Sequence, residues 1–385
     1  MKALVLIDGE HYAPVVRDAL AALPYEVVAA LLVGGTEKLR GLEDYGVPLV
    51  DSLDAVEADV VVDLSDEPVL GPQERLAWAS RALALGLPYE GADFRFDPPT
   101  FHPFELPSLA VIGTGKRVGK TAVTGHVARL LARDRDVVVV AMGRGGPAEP
   151  ELIAEPPSVE ELVALSRDGR HAASDHLETA AMARVRTVGC RRAGGGMAGA
   201  TVDSNVLEGA RLAASLSPDV AVFDGSGAAI PPIDVDARLL VAHDLSGLNA
   251  YRALVSDVVL TMSEDVAAEA RALGKPAVRF GLRPRPLEPL AGRVAVFTTG
   301  AAPLDHIEGD VVFSTRSRAD RAELAVQLEN VDADTYLVEL KAAAIDLVAT
   351  HALERGRRVV FAANDVVADG LDEFVLALLR ERVRA

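Results

Sequence analysis

Short apolar runs alternate with amphipathic stretches over the first hundred residues. Runs at 3–7, 27–33, 47–50, 60–64 and 87–89 predict strands, and the stretches 13–23 and 74–85 predict helices. Strands that alternate with helices are typical of a parallel sheet covered by helices on both faces. The pattern therefore predicts an N-terminal Rossmann-like α/β domain over residues 1–105. A stretch with four prolines between 97 and 107 then indicates a linker.

The same alternation continues in two further blocks. In the second block, strands are predicted at 109–112, 137–142, 220–223, 239–242, 258–261 and 277–280, with helices at 122–133, 206–216 and 267–273. A proline- and arginine-rich stretch at 283–289 ends this block. In the third block, strands are predicted at 294–297, 311–314, 337–339 and 359–362, with helices at 320–328, 342–354 and 371–382. We therefore expect a central domain over 106–290 and a smaller C-terminal α/β domain over 291–385.

A glycine-rich turn joins the first strand of the central block to its first helix. The turn reads Gly113-Thr114-Gly115-Lys116-Arg117-Val118-Gly119-Lys120-Thr121. A strand, a turn ending in Gly-Lys-Thr and a helix form the context of a phosphate-binding loop, where backbone N–H groups and a helix N-terminus hold phosphate oxygens. We expect all nine residues to bind nucleotide, with Lys120 at the β- and γ-phosphates and the Thr121 hydroxyl on Mg²⁺.

This loop makes the expected fold class α/β, with a central P-loop NTPase-type parallel sheet between the two flanking domains. Thr114 stands where the usual pattern begins with glycine. A glycine-rich turn that carries Gly-Lys-Thr by chance is therefore the alternative interpretation.

A second candidate is Asp224, at the start of the segment Asp224-Gly225-Ser226-Gly227. The apolar run before it predicts a buried strand, and such strands deliver acids to the carboxyl edge where open α/β sheets bind ligands. In P-loop enzymes this acid contacts Mg²⁺ directly or through water, and we expect Asp224 and Thr121 to hold the metal. A turn-capping acid is the alternative. The acids Asp234 and Asp236 that follow are either second partners of the metal or solvated loop residues.

Two arginine–glycine segments suggest a second anion site. One follows the strand at 137–142, and the other precedes the glycine run 194–199. Guanidinium groups and backbone nests are the usual anion binders in proteins. We expect the phosphorylated substrate to contact Arg144, Gly145, Gly146, Arg191, Arg192, Gly195 and Gly196. Arg144 is also a catalytic candidate beside Lys120 and Asp224, and plain surface loops are the alternative for both segments.

Weaker candidates lie outside these motifs. The segment Asp8-Gly9-Glu10-His11 follows the first strand and either binds substrate or metal or forms a turn with a hydrogen-bonded histidine. The arginines Arg279, Arg283 and Arg285 either contact substrate or are linker residues without a binding role. In the third block, Lys341 and the pair Asn364-Asp365 are still weaker candidates for site residues. Cys190 is expected to be a packed thiol rather than a nucleophile.

Composition narrows the possible partners. The net charge of −18 argues against general nucleic-acid binding and against an anionic membrane surface. The chain has one cysteine, which excludes intramolecular disulfides and multi-cysteine zinc sites and fits a reducing cytosol. The N-terminus predicts a strand rather than a signal peptide, and no apolar run approaches the length of a membrane span. An Asn-Lys-x-Asp motif is absent after the phosphate loop, which disfavours a GTPase.

Two resemblances follow from these residues. The glycine-rich turn resembles the loop of dethiobiotin synthetase and its relatives, G-T-x-x-x-V-G-K-T. Together with Gly143-Arg144-Gly145-Gly146-Pro147, the run 194–199, Asp224-Gly225-Ser226-Gly227 and Asp8-Gly9-Glu10-His11, it resembles the cyclic 2,3-diphosphoglycerate synthetase family. That resemblance covers most of the chain, and the order of the motifs carries it.

The resemblance implies an ATP- and Mg²⁺-dependent ligase that closes a phosphoanhydride ring within 2,3-bisphosphoglycerate. It also implies a cytoplasmic enzyme, and the scaffold implies a homodimer. Another ATP-dependent ligase or kinase acting on a different phosphorylated acid is the alternative. A nucleotide switch without enzymatic function is a third interpretation, which the arginine–glycine segments disfavour.

Overall fold

The computed structural model describes all residues except 36–38, 42, 68, 170–173, 299–302, 317–319, 341–343 and 383–385. The described residues form three sheets that follow one another along the chain. Parallel strands connected by helices predominate in each of them, so the predicted α/β fold class is confirmed.

The N-terminal sheet has six described strands: β1 (Lys2–Asp8), β2 (Glu26–Gly34), β3 (Leu49–Val50), β4 (Val60–Asp63), β5 (Tyr89–Glu90) and β6 (Arg95–Phe96). Their order is β3-β2-β1-β4-β5-β6, and all pairs except β5–β6 are parallel. Helices α1 (Ala13–Ala22) and α2 (Pro72–Ala84) supply the crossovers. The sequences of the central strands β1 and β4 are nearly all apolar, because both faces of these strands are buried.

The proline-rich segment between the first two sheets is fixed to the central domain. The backbone N–H of His102 donates to the Pro232 carbonyl over 3.0 Å. The Phe104 ring lies edge-on to Phe223 with centroids 5.1 Å apart, and the Arg238 guanidinium stacks 4.6 Å from the centroid of Phe101. These contacts make the predicted linker a packed connection.

The central sheet has nine described strands: β7 (Ser108–Gly113), β8 (Val137–Gly143), β9 (Glu151–Ile153), β10 (Arg186–Gly195), β11 (Thr201–Ser204), β12 (Val220–Asp224), β13 (Ala237–Ala242), β14 (Val258–Thr261) and β15 (Ala277–Arg279). The order is β11-β10-β8-β12-β7-β13-β14-β15, with β9 beside β10. Strands β9 and β11 run antiparallel to β10, and the other pairs are parallel.

Six helices in the described part of the central domain connect or flank these strands: α3 (Lys120–Leu131), α4 (Val159–Arg167), α5 (Asp175–Ala183), α6 (Val206–Ser215), α7 (Asn249–Leu254) and α8 (Glu264–Ala272). Helix α3 begins directly after the glycine-rich turn. Its buried residues Val123 and Val127 pack against the sheet in one continuous core with β7 and β12. The strand–turn–helix context expected for the phosphate loop is therefore present.

The segment 189–199 differs from the expected loop. Most of it belongs to strand β10, which turns into β11 through a tight hairpin. Gly194 adopts a left-handed φ of 64°, and the N–H of Gly196 donates to the Ala200 carbonyl over 2.8 Å. The glycines of this run thus shape a hairpin, although Arg192 still lies at the edge described below.

The C-terminal sheet has five described strands: β16 (Gly281–Pro286), β17 (Arg293–Phe297), β18 (Asp310–Thr315), β19 (Thr335–Glu339) and β20 (Arg358–Val367). The order is β16-β20-β19-β17-β18, and only the β16–β20 pair is antiparallel. The sequence analysis assigned residues 283–289 to the end of the central domain, but β16 is an edge strand of this sheet. Prolines are tolerated there because an edge strand has one unpaired side.

Three α-helices and one π-helix are described in the C-terminal region: α9 (Arg321–Glu329), the π-helix Ala344–Ala349, α10 (Thr350–Glu354) and α11 (Leu371–Arg382). Helix α11 returns to the central domain. Its buried residues Leu371, Val375 and Leu379 share a core with Val123 and Val127 of α3. The C-terminal helix therefore supports the helix that begins at the phosphate loop.

Candidate nucleotide and anion site

The predicted site residues meet at the carboxyl edge of the central sheet. Strands β8, β12, β7 and β13 are neighbours and parallel, so their carboxyl ends share one edge. Gly113, Gly143 and Asp224 are the last residues of three of these strands. The phosphate loop begins at Gly113 and ends at Gly119, which has a φ of 97° and precedes the first turn of α3.

Gly119 is required by the space around it as well as by its backbone. A Cβ built there would lie 3.1 Å from the Phe280 ring. A left-handed φ is costly for residues with a side chain, so both the conformation and the contact favour glycine. Lys116 and Arg117, in the middle of the loop, are exposed, whereas Val118 is buried. The loop is thus anchored at both ends, with two cationic side chains at its surface.

Lys120 and Asp224 form an ion pair in the centre of this edge. The Lys120 Nζ donates to Asp224 Oδ1 over 2.6 Å, and the Thr124 hydroxyl donates to the same oxygen over 2.7 Å. Asp224 is 1% exposed. Burial raises the pKa of Asp224, and the nearby Lys120 charge opposes that rise. Thr121 is half-buried on the same first turn of α3, next to Lys120.

Arg192 lies against the loop that follows Asp224. Its Nη2 donates to the Ser226 carbonyl over 2.8 Å. Burial lowers the pKa of Arg192, and the charge of Arg144 lowers it further, with Asp175 acting in the opposite direction. The charges of Arg144, which is exposed, and of Arg192 therefore interact, and Arg192 lies against the loop after Asp224. Within the described chain, Arg192 Nε and Ser226 Oγ are buried and have no hydrogen-bond partner.

Arg191 does not join this cluster. Successive side chains of a strand point to opposite faces, so Arg191 and Arg192 diverge on β10. Arg191 is exposed, and its backbone N–H donates to Asn205 Oδ1 over 2.7 Å. The structure therefore places one of the two predicted arginines at the edge and the other away from it.

The predicted glycines have different surroundings. Gly145 and Gly196 are exposed, in the turn after β8 and in the β10–β11 hairpin. A Cβ on Gly146 would overlap the Cys190 carbonyl, and a Cβ on Gly195 would lie 3.2 Å from Arg192 Nη1. Gly146 therefore allows the segment after β8 to pass close to β10.

The weaker candidates have structural partners. Asp8 accepts hydrogen bonds from the ring of His11, at 2.7 Å, and from the backbone N–H groups of Glu10 and Asp66. Burial favours a higher pKa for Asp8, but these three donors outweigh it and the pKa is lowered. This arrangement is the hydrogen-bonded turn that the sequence left open for the segment. The described part of the chain contains no group of three or more His, Cys, Asp and Glu side chains placed to hold a metal.

Other candidates also lie in ion pairs or at another edge. Arg279 pairs with Glu264 at 3.5 Å, and Arg285 Nε donates to Asp365 Oδ1 over 2.8 Å. Asp236 accepts from the Ser108 backbone N–H over 2.8 Å at the amino end of β7, so a second-partner role at the metal is wrong for it. The remaining candidates are elsewhere: Arg283 is exposed on β16, Asn364 donates to Glu339, and Lys341 lies outside the described residues.

Cys190 is a packed residue. It is 0% exposed, and a Cβ on Gly209 would overlap its sulfur. Burial raises the pKa of the Cys190 thiol to about 12. A thiol at that pKa is almost entirely protonated near neutral pH and is a poor nucleophile.

Three residues at this edge escaped the sequence analysis. Asp175 begins α5, and its Oδ2 would lie 2.9 Å from a Cβ on Gly143. Thr124 donates to Asp224, and His243 contacts Thr114 of the phosphate loop. His243 directly follows the apolar run 239–242, so a polar residue at a strand end was an available signal. Asp175 and Thr124 carry no comparable signal in the sequence.

The described helices include none long and apolar enough to cross a membrane.

The sheet and its glycine-rich loop define a P-loop nucleotide-binding protein. Three family models match in chain order: the N-terminal domain of cyclic 2,3-diphosphoglycerate synthetase over residues 2–97, its P-loop domain over 108–275 and its C-terminal domain over 286–365. The chain belongs to the cyclic 2,3-diphosphoglycerate synthetase family, which confirms the resemblance seen in the sequence.

Known relatives are similar over nearly their whole length. A cyclic 2,3-diphosphoglycerate synthetase of Rubrobacter xylanophilus is 47% identical, over 99% of this chain and 97% of that protein. The proteins of the same name from Thermococcus kodakarensis and Methanothermus fervidus are 42% and 37% identical, over 96% and 94% of this chain and 96% and 92% of theirs. The solved ATP complex of LpxK from Aquifex aeolicus is 14% identical and covers 80% of this chain and 95% of its own. Its TM-score is 0.47, and no conclusion rests on this likeness.

Proposed function

We propose that this protein is an ATP-dependent ligase that converts 2,3-bisphosphoglycerate to cyclic 2,3-diphosphoglycerate, ADP and inorganic phosphate. One observation carries the proposal besides family membership. The phosphate loop contacts the buried carboxylate of Asp224 through Lys120, and Arg192, whose charge interacts with that of Arg144, docks on the loop that follows Asp224. The cationic groups of this edge therefore suit two anions, a nucleotide at the phosphate loop and a second polyanion at the arginines.

The nucleotide half consists of residues 113–121 with Asp224. Backbone N–H groups at the start of α3 and the Lys120 ammonium bind the β- and γ-phosphates. The Thr121 hydroxyl and the Asp224 carboxylate are oxygen donors, which suit Mg²⁺. These two residues would hold Mg²⁺, and the ion would supply neutralisation of phosphate charge during transfer. In this structure the Lys120 ammonium donates to Asp224 Oδ1. When nucleotide binds, a phosphate oxygen replaces that acceptor.

The acceptor half consists of Arg144 and Arg192 with the loop after Asp224. Two guanidinium groups repel each other, and an anion between them removes that repulsion. Arg192 Nε and Ser226 Oγ are buried without partners among the described residues, a state that costs free energy until a ligand or a shift of the loop supplies an acceptor. The exposed glycines Gly145, Gly195 and Gly196 leave room for a substrate phosphate. Gly146 was also predicted to contact substrate, but the lack of a side chain there serves the close approach to Cys190. Arg191 faces away and contributes at most long-range charge.

The reaction takes place in two steps. A phosphate oxygen of the substrate attacks the γ-phosphorus of ATP, the bond to the β-phosphate oxygen breaks, and ADP leaves. The neighbouring phosphate of the same molecule then attacks the inner phosphorus of the new pyrophosphoryl group, and inorganic phosphate leaves as the ring closes. Lys120 and Arg144 stabilise the transferred charge, and Arg192 holds the second phosphate in line. Because both phosphates belong to one molecule, the second step is effectively unimolecular.

Several broader features belong to the same proposal. The boundaries 1–105, 106–290 and 291–385 stay a prediction, and the third sheet begins at Gly281, within the second of these ranges. A homodimer in the cytosol is proposed from the scaffold and from the single cysteine.

The test follows ADP release and product formation with one substrate at a time. Purified protein is incubated with ATP, Mg²⁺ and 2,3-bisphosphoglycerate, and ³¹P NMR identifies the products. 3-Phosphoglycerate is the matched control because it lacks the second phosphate needed for ring closure. The expected result is cyclic product and stoichiometric ADP with the bisphosphate alone.

Three other results would contradict the proposal. ADP release with another phosphorylated acid but not with the bisphosphate would favour a different ligase or kinase. Slow hydrolysis that no acid stimulates would favour a nucleotide switch. Cyclic product from the Lys120→Ala variant at the wild-type rate would remove the phosphate loop from the mechanism.

A further inference from the structure

The departure of the phosphate loop from the usual pattern has a structural partner. Thr114 stands in place of the first glycine of the pattern and is 7% exposed. Its hydroxyl oxygen accepts a hydrogen bond from the backbone N–H of His243 over 3.2 Å and lies 2.9 Å from Nδ1 of the same histidine. His243 follows β13, the strand that pairs with β7 on the side opposite β12.

The partner of the other ring nitrogen indicates the direction of each proton. Nε2 of His243 lies 2.9 Å from Asp244 Oδ2, and a carboxylate oxygen accepts, so Nε2 carries a proton and donates it to Asp244. In the neutral ring Nδ1 is then an acceptor, and the Thr114 hydroxyl donates to it while accepting from the His243 backbone N–H. The other oxygen of Asp244 accepts from the Ser246 hydroxyl at 2.6 Å and from Asn249 Nδ2 at 2.9 Å. A carboxylate held in this way orients the ring and sets its tautomer.

The resulting chain Asp244–His243–Thr114 ends on the phosphate loop. The His243 ring also covers the loop, since its Cε1 lies 3.5 Å from the position of a Cβ on Gly115. The Thr114 N–H donates to the Val241 carbonyl over 3.1 Å, so backbone and side chain both hold this residue on β13. The first part of the loop is therefore tied to the sheet, and two of its contacts use a hydroxyl that a glycine at position 114 would lack.

We propose that His243, oriented by Asp244, is a positioning residue that fixes the first turn of the phosphate loop through the Thr114 hydroxyl. This inference rests on the proposed nucleotide site and adds residues that bind no phosphate themselves. A loop that is held before the nucleotide arrives has less conformational entropy to lose on binding, so the contact increases nucleotide affinity.

The experiment measures ADP affinity by calorimetry, which needs neither acceptor nor turnover. Thr114→Ala and His243→Ala should each weaken ADP binding roughly two- to twelvefold, the range for one lost hydrogen bond. The double variant should lose much less than the sum of the two single losses, because both substitutions remove the hydrogen bond between Thr114 and the His243 ring. Thr114→Ser keeps the hydroxyl and should remain within about twofold of wild type.

Two replacements of His243 separate the ring nitrogens. Asparagine places a polar atom near the Nδ1 position, and glutamine places one near Nε2. His243→Asn should therefore recover most of the ADP affinity that His243→Ala loses, and His243→Gln should not. In turnover assays the loss should fall on the KM for ATP rather than on kcat. His102→Ala, at an exposed histidine outside the site, is the control for unchanged affinity.

The outcomes separate the two proposals. Wild-type protein that binds no ADP would overturn the proposed function and this inference together. Wild-type binding with unchanged affinity in Thr114→Ala and His243→Ala would overturn the inference alone, as would losses that simply add in the double variant.

Discussion

The ammonium group of Lys120 lies 2.6 Å from the Asp224 carboxylate, and both groups are nearly shielded from solvent. The side chains are 11% and 1% exposed. Removal of one partner from a buried ion pair leaves an uncompensated charge, which costs more than the pair contributes. This contact therefore ties nucleotide binding to the stability of the fold.

Lys120→Ala should lower the free energy of unfolding by about 3 kcal/mol, because Asp224 loses its counter-charge. The double variant Lys120→Ala/Asp224→Asn should regain most of that stability, since it removes the orphaned charge as well. Chemical denaturation of wild type, Lys120→Ala, Asp224→Asn and the double variant gives the coupling free energy between the two side chains. Turnover should be lost in all three variants. Equal destabilisation of the single and double variants would show that the pair does not compensate charge.

The same pair predicts a pH dependence. Burial raises the pKa of Asp224, so the folded protein binds more protons there than the unfolded chain does. The free energy of unfolding then falls as the pH rises from the unfolded pKa to the folded pKa. Loss of Lys120 removes an influence that lowers this pKa, so the window extends upward in Lys120→Ala.

Thermal unfolding of wild type and Lys120→Ala at several pH values checks this sign. The deficit of the variant should shrink as the pH is lowered, because protonation removes the orphaned charge. The double variant Lys120→Ala/Asp224→Asn should not show this recovery, because it has no acid at that position to protonate. A deficit that grows toward acid would contradict the assignment.

Much of this edge could be predicted because local pattern and position determine it. The apolar runs before Gly113 and Asp224 are strands of one parallel sheet, and parallel strands end at one edge. The proximity of Lys120 and Asp224 follows from that geometry without any knowledge of the packing. Arg144 follows the predicted strand 137–142 in the same way.

The remaining contacts depend on pairing between distant segments. Strand β10 carries Arg191, Arg192 and two glycines in its second half, and this composition resembles a loop more than a strand. Its pairing with β8 overrides the local preference. Thr124 lies on α3 and has no distinguishing sequence signal; its role comes from contact with Asp224 at the end of β12. His243 gains its role only because β13 lies beside β7.

The conformation of Gly119 predicts a local defect. Gly119→Ala places a side chain at a φ of 97° and 3.1 Å from the Phe280 ring. The matched control is Gly274→Ala, where φ is 77° but nothing lies within 4 Å of the new Cβ. Each substitution should cost about 1–2 kcal/mol for the backbone, and Gly119→Ala should cost more and weaken ADP binding. Similar losses in both variants, with ADP affinity intact, would show that the contact with Phe280 is relieved easily.

Cys190 should be inert in the native protein. It is buried, and its pKa is raised to about 12, so few thiolates are present at neutral pH. A chromogenic disulfide reagent should react with less than one thiol per chain until denaturant is added. Full reaction within minutes under native conditions would contradict the packing seen around Gly209.

The two adjacent arginines of β10 offer the sharpest test of the anion site. Arg192 docks on the Ser226 carbonyl beside Arg144, whereas Arg191 is exposed on the opposite face of the strand. A hydrogen bond from a charged group contributes about 1.5–3 kcal/mol, so Arg192→Ala should raise the KM for 2,3-bisphosphoglycerate roughly ten- to a hundredfold.

Arg191→Ala removes the same charge one residue away and should change that KM by less than about threefold, the size of an exposed charge effect. The KM for ATP should stay near its wild-type value in both variants, because neither arginine belongs to the nucleotide half. Steady-state kinetics with each substrate varied in turn give these values. Equal effects of the two substitutions on the bisphosphate would mean that net charge, rather than the position of Arg192 beside Asp224, attracts the acceptor.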